Sequence, residues 1–200
     1  STCLVGSEMC IRDSLNTFVL DPVLKDGKPQ KSKKGPPEIK IYPGAYSCTF
    51  PINKGRKVYA LRCWIKNPKD INIRYQEISK HLNKVKLPYF VEFHYIKNGI
   101  NIPFGGQIQT FPIIRMDWVK GLQLDQFIKK NLYNKYILLD AANKFRVMTE
   151  ELHKNEIVHG DLQHGNIIFD KNYDIKLIDY DSLYVPNLHG KKSLFNGLPA

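Results

Sequence analysis

One stretch constrains this chain more than any other: VHGDLQHGNIIFDKNYDIKLIDYDS, Val158–Ser182. Two short apolar runs, Asn166–Phe169 and Ile175–Ile178, flank the polar turn DKNYD. Apolar runs of about 4–8 residues between turn signals read as buried strands, so the stretch predicts loop, strand, turn, strand, loop. A hairpin returns its ends to one place. Asp161 and Asn166 precede it and Asp179 follows it, so the three side chains converge. Two carboxylates and an amide oxygen form a hard oxygen donor set that suits Mg²⁺. Taken singly, each of these residues reads as a cap or a turn residue; the joint spacing favours the shared site.

The first fourteen residues, STCLVGSEMCIRDS, read differently from the rest. Back-translated, Met9–Asp13 with its flanking bases spells a transposon end used in sequencing adapters. Residues 1–14 are therefore set aside from fold reasoning. They lack the basic start and apolar core of a signal peptide. This origin implies an assembled read, open to truncation at either end. What remains is about one domain's length, with 42% hydrophobic and 24% charged residues, an ordinary globular composition. No apolar run is long enough for a transmembrane helix. Cys48 and Cys63 have neither metal spacing nor a disulfide framework and read as small apolar residues in a reducing cytoplasm.

The net charge of +11 can draw anionic phosphates or nucleic acid. It is spread along the chain, apart from Lys25–Lys40. That run is rich in Lys, Pro and Gly, so residues 15–37 read as a solvated flexible arm. Only charge speaks for a nucleic-acid partner.

Beyond the arm, EIKIY and SCTFPI read as strands around residues 43–45, and Lys57–Ile65 as a strong strand by its alternation. Pro68–Val85 reads as a helix. Tyr89–Ile96 and Gln109–Val119 read as strands around a Gly-bearing loop. A short helix LDQFIKKNL precedes a long one, about Tyr136–Asn155. The latter's apolar face carries Leu138, Leu139, Ala142, Phe145, Met148 and Leu152 near the 3.6 period.

This order, with HGDLQHGN and IDYD, resembles the protein kinase-like superfamily, in particular a bacterial group bearing those two motifs. The resemblance runs over about residues 38–185. It implies an α+β, bilobal fold: an N-lobe over residues 38–118, an antiparallel sheet with one helix, and a partial helical C-lobe over 119–200. The kinase catalytic loop is His-Arg-Asp, four residues, then Asn. Here it is His159, Gly160, Asp161, LQHG, Asn166. The resemblance makes Asp161 the catalytic base that accepts the substrate hydroxyl proton, and Asn166 and Asp179 the Mg²⁺ ligands. It makes ATP and Mg²⁺ the cofactors. Gly44 stands in the nucleotide roof, and Ala60 and Arg62 occupy the strand motif Val-Ala-Ile-Lys. Glu77 is the ion-pair partner expected for Arg62. Met116 is the gatekeeper, and the backbone of Asp117 to Val119 would meet adenine. Gly121 would allow the turn into the second lobe.

Three departures stand out. Gly160 replaces the Arg that commonly reads a phosphorylated activation loop. Asp181 replaces the Gly of Asp-Phe-Gly, so that hinge is lost, while Tyr180 can pack as the Phe does. Arg62 replaces the phosphate-pairing Lys, with a different, bidentate geometry. By the alternation in YALRC it shares a face with Ala60.

The expected function is ATP- and Mg²⁺-dependent transfer of the γ-phosphate to a hydroxyl, on a protein Ser or Thr, by a cytoplasmic enzyme without a membrane partner. A small-molecule kinase of the aminoglycoside or choline type is the alternative, from Gly160, Gly165 and Gln163. A nucleotide-binding pseudokinase or scaffold is the third, from Arg62, the lone Gly44 and Asp181. The fragment itself is expected to be inactive.

Overall fold

A computed structural model describes residues 19–32, 38–44, 46–64, 70–104 and 106–191. The adapter-like stretch, the Lys-Pro-rich residues 33–37, Ala45 and residues 192–200 lie outside the described residues. The chain forms two compact units of mixed helix and antiparallel sheet, an α+β fold.

The first unit comprises the described residues up to Asn72 and Glu92–Trp118. Its strands are β1 (Lys28–Pro29), β2 (Tyr42–Pro43), β3 (Ser47–Lys54), β4 (Lys57–Trp64), β5 (Phe93–Phe104) and β6 (Gln107–Asp117). They form one antiparallel sheet in the order β1-β3-β4-β6-β5, with β2 also on β3. In a strand, successive side chains take opposite faces, and directly opposed residues share one. Leu61 and Cys63 of β4 therefore lie with their partners Phe50 and Cys48. Ile52, Ile100, Ile102, Ile113 and Leu24 complete this core.

Leu24 corrects the expectation of a flexible arm. Residues 19–32 are part of the unit: Leu24 is buried, β1 pairs with β3, and Val19 bridges to Ile100. Asp21 is buried too, and Arg115 Nη1 donates to both its carboxylate oxygens at 2.8 Å. The Lys- and Gly-rich composition around them masked one apolar residue and one paired carboxylate, which suffice to seat the segment.

The second unit comprises Ile73–Val91 and the chain from Val119 on. It contains most of helix α1 (Ile71–Val85), with β7 (Gly121–Gln123), α2 (Leu124–Lys130), α3 (Lys135–Lys154), β8 (Ile167–Asp170) and β9 (Ile175–Leu177). The strands form a small sheet, β7-β8-β9. The predicted hairpin is β8–β9, and Asp170 Oδ1 accepts from Asn172 and Asp174 N–H to close its turn. Phe127 of α2 stacks on Phe169 of β8 with centroids 4.0 Å apart. Helix α3 buries Met148 and Leu152 of the predicted face, adds Ala141, and leaves Leu139 64% exposed.

Two differences bear on the site. Gly121 is a strand residue, not a turn: it opposes Asp170, and a Cβ there would collide with the Phe169 carbonyl. Helix α1, expected in the N-lobe, groups with the second unit from Ile73 on. Its side chains give the reason. Arg74 Nη1 donates to Leu183 O at 3.1 Å, Tyr75 Oη to Asp181, and His81 Nε2 to Asn155 O at 3.0 Å.

Candidate active site

The loop from Val158 to Asn166 brings two predicted residues into direct contact. The Asn166 amide donates from Nδ2 to Asp161 Oδ2 and to Asp161 O, both at 2.9 Å. Gln163 Nε2 donates to the same carboxylate oxygen at 3.0 Å. All three bonds lie within six residues, so the loop is built largely from its own sequence. Both side-chain bonds fall on Oδ2, which leaves Asp161 Oδ1 without a hydrogen bond among the described residues. Asn166 is buried and spends both amide hydrogens on Asp161. Its carbonyl oxygen is thereby directed away from the carboxylate, as a ligand oxygen must be.

Asp179 is held beside this pair through the backbone. Ile178 N–H donates to Asn166 O at 3.0 Å, and His159 Nε2 donates to Ile178 O at 3.0 Å. Asp179 itself takes a left-handed conformation, φ 65°. Short Asp side chains tolerate this by bonding their own backbone two residues on, and Asp179 Oδ1 accepts from Asp181 N–H at 3.4 Å. His159 is almost fully buried, and that burial pushes its pKa below the usual histidine value, against the opposing pull of Ile178 O, Asp179 and Asp161. The ring is neutral and acts as a strut.

Gly160 has a structural explanation. Its φ is +76°, and a Cβ would collide with the Ser182 carbonyl oxygen. No Arg fits there, because Val158 and Tyr184 exchange backbone hydrogen bonds at 3.2 and 2.7 Å and draw the following segment over the loop. Tyr180 is buried as the Phe it replaces would be, edge-on to Phe90 at 5.6 Å. Its hydroxyl donates to Leu177 O at 2.9 Å and accepts from Val91 N–H at 2.8 Å.

The donor set fits Mg²⁺. Among the described residues no group of three His, Cys, Asp or Glu is arranged to hold a metal. Mg²⁺ needs none: it is ordinarily held by one or two carboxylates with waters and substrate phosphates completing the octahedron.

The residues expected at the nucleotide divide between the units. Ala60, Arg62 and Met116 lie in the first. Ala60 opposes Met116, and Arg62 opposes Thr49 and Ile114, so by register Ala60, Arg62 and Met116 share one sheet face. Arg62 is 8% exposed, so it is no surface strand residue. Gly44 closes the β2–β3 turn, its N–H donating to Ser47 O at 2.7 Å. Asp117 N–H donates to Glu92 O at 3.4 Å and Trp118 N–H to Val58 O at 3.0 Å. Val119 and Glu77 fall in the second unit. There the Glu77 carboxylate accepts from Asn187 Nδ2 at 2.6 Å and from Lys80 Nζ at 3.0 Å. The Asn187 bond, more than the Lys80 bond, lowers its pKa.

Sequence reasoning missed Tyr75, Arg74 and Asn187. Tyr75 stood only as an apolar position of a helix. The buried Asp181 is its partner, 106 residues away, and no local pattern links the two.

Two comparisons with known proteins bear on this site. Residues 100–194 match the ABC1 atypical kinase-like domain. The match takes in Asp161, Asn166 and Asp179 and leaves out Gly44, Ala60, Arg62 and Glu77. Over 81 residues the chain is 33% identical to a probable bifunctional tRNA threonylcarbamoyladenosine biosynthesis protein of Methanocaldococcus jannaschii. That alignment covers 40% of this chain and 14% of the relative. No helix among the described residues is long and apolar enough to cross a membrane. In its α+β fold, its loop spacing and its match over residues 100–194, the chain is similar to the protein kinase-like superfamily.

Proposed function

We propose that this chain belongs to an ATP- and Mg²⁺-dependent phosphotransferase that moves a γ-phosphate to a hydroxyl. The observation that carries this reading is the Asp161–Asn166 hydrogen bond at 2.9 Å, with Ile178 N–H on Asn166 O placing Asp179 next in line. Phosphoryl transfer needs positioning and neutralised charge more than covalent chemistry. Asn166 and Asp179 would hold Mg²⁺, which when bound neutralises phosphate charge. Asp161 orients the acceptor hydroxyl and takes its proton at Oδ1, the oxygen left open. Gln163 and Asn166 fix the carboxylate plane through Oδ2. Arg62, buried on the face of Ala60 and Met116, is the cation for the nucleotide phosphates. It is permanently charged and presents a planar fork.

A protein Ser or Thr is the acceptor this reading favours, by a cytoplasmic enzyme. Gln163, where protein kinases carry Lys, favours a small-molecule acceptor as the second reading. The relative's name concerns tRNA modification, so tRNA belongs in the same test. The test is γ-phosphate transfer from ATP·Mg²⁺ by the chain in its complete reading frame, with protein, aminoglycoside, choline and tRNA acceptors side by side. Transfer to one of them, lost in Asp161→Asn, supports the reading. Mg²⁺-dependent nucleotide binding with no transfer to any acceptor would move the chain to the pseudokinase reading.

A further inference from the structure

Kinases that are switched by phosphorylation order the segment after the metal-binding Asp by adding a phosphate for Arg to grip. Here that segment is already gripped. Leu183 and Val185 are fully buried, and Leu188 is 1% exposed. Tyr184 pairs with Val158, and Tyr180 is fixed by both ring and hydroxyl. Helix α1 supplies the rest. Tyr75 donates its hydroxyl to Asp181, Arg74 reaches Leu183 O, and Glu77 accepts from Asn187. Three points of the segment, Asp181, Leu183 and Asn187, are therefore bound by one helix.

Asp181 is the residue that makes this unusual. It occupies the position where kinases carry a hinge Gly, yet it is 6% exposed and bonded. A buried carboxylate is costly unless it is paired and hydrogen-bonded. Tyr75 supplies the bond, and Arg74, itself 5% exposed, supplies opposite charge within electrostatic reach. Asp181 lies two residues beyond Asp179, and its N–H bonds back to Asp179 Oδ1. Fixing residue 181 thus fixes the turn that presents the metal-binding carboxylate.

We propose that Asp181, gripped by Tyr75 while Arg74 holds Leu183 O, is a positioning residue that clamps the Asp179 turn to helix α1, so that the carboxylate assigned to the metal stays in place without phosphorylation of the segment. The metal role rests on the phosphotransferase reading above; the clamp itself rests on the bonds just described. Residues that support metal ligands typically act on metal affinity by about 10–100-fold when lost.

The experiment compares the phosphatase-treated chain with Tyr75→Phe, Asp181→Gly and Asp181→Asn, in its complete reading frame. Without nucleotide, hydrogen exchange is followed at the amides of Leu183, Tyr184 and Leu188, each hydrogen-bonded in this segment. Those amides are expected to be protected in the parent, and to lose protection in Tyr75→Phe and Asp181→Gly while the α3 amides keep theirs. Asp181→Asn keeps an acceptor for the Tyr75 hydroxyl and is expected to keep most of the protection. With ATP, the Mg²⁺ concentration for half-maximal nucleotide binding is expected to rise roughly tenfold in the first two variants. Unchanged exchange in both Tyr75→Phe and Asp181→Gly overturns the clamp, as does a parent segment that exchanges freely until phosphorylated. If the parent binds no nucleotide at all, the phosphotransferase reading falls, and the exchange data still decide the clamp. Tyr75→Phe removes one oxygen atom, so the test survives if Asp181→Gly fails to fold.

Discussion

At Asp161 the chain is held by near neighbours: Gln163 and Asn166 both bond its carboxylate, two and five residues away. Between Asp179 and Leu188 it is held by a helix 106 to 110 residues earlier. The two regions meet where Ser182 passes over Gly160. On the function proposed above, the first would carry the group that acts on the acceptor and the second the group that meets the metal. The first is fixed beside its own neighbours, whereas the second depends on a distant helix being docked.

The largest effect should separate the two by function. Asp161→Asn is expected to lower transfer by about 10²–10⁴-fold, the usual scale of a general base, while nucleotide binding persists. Asp179→Asn is expected to abolish Mg²⁺-dependent nucleotide binding itself. Titrating ATP with and without Mg²⁺ in both variants checks this, and equal loss of ATP affinity in the two would dissolve the division of roles.

Next comes the crossing point. Gly160→Ala places a Cβ against Ser182 O at a left-handed φ, a strain of about 1–3 kcal/mol. Its melting temperature should fall, and both the loop and the segment should gain exchange. Disturbance of one alone would show that they are less coupled than the backbone bridge at Val158 and Tyr184 implies.

A smaller effect should follow from acid. His159 is buried and neutral, with its pKa held below the unfolded value near 6.5. Between those two values the unfolded chain binds more protons than the folded one, so stability rises with pH there. The chain is expected to lose stability as pH falls below about 6.5, and His159→Gln should flatten that part of the profile. The least effect should come at the exposed end of the helix contact: Asn187→Ala removes one solvent-exposed hydrogen bond to Glu77 and is expected to lower the melting temperature only slightly. Thermal melts of the variant against the parent check it.

The same contrast explains what could be read from sequence. The hairpin, the loop spacing and the β4 alternation depend on residues a few positions apart, so periodicity and turn chemistry expose them. Tyr75 and Asp181 form their pair across more than half the chain, and neither looks unusual alone. Gly121 was legible as a glycine and misread as a turn, because the reason for it is the backbone of β8 pressed against it. The α3 stripe was legible at Met148 and Leu152 and shifted by a residue at its start, where Ala141 is buried and Leu139 is not. Residues 19–32 were lost in their composition, since the seated Leu24 and the paired Asp21 stand beside a Lys-rich run and follow no period.

Those residues have a consequence for the order of events as the chain is made. Asp21 and Leu24 leave the ribosome early, but Arg115 is 94 residues behind Asp21, and Ile100, Ile102 and Ile113 of the same core are nearly as late. At about 5–20 residues per second, synthesis leaves the segment waiting several seconds with its carboxylate unpaired and its leucine wet. The β3–β4 hairpin can form in that interval, and β1 can settle on its edge. The face it will cover is completed only when β5 and β6 arrive. The first part of this unit to be synthesised is therefore among the last to be locked, and until then the half-built sheet face is where a chaperone or a neighbouring nascent chain would find purchase.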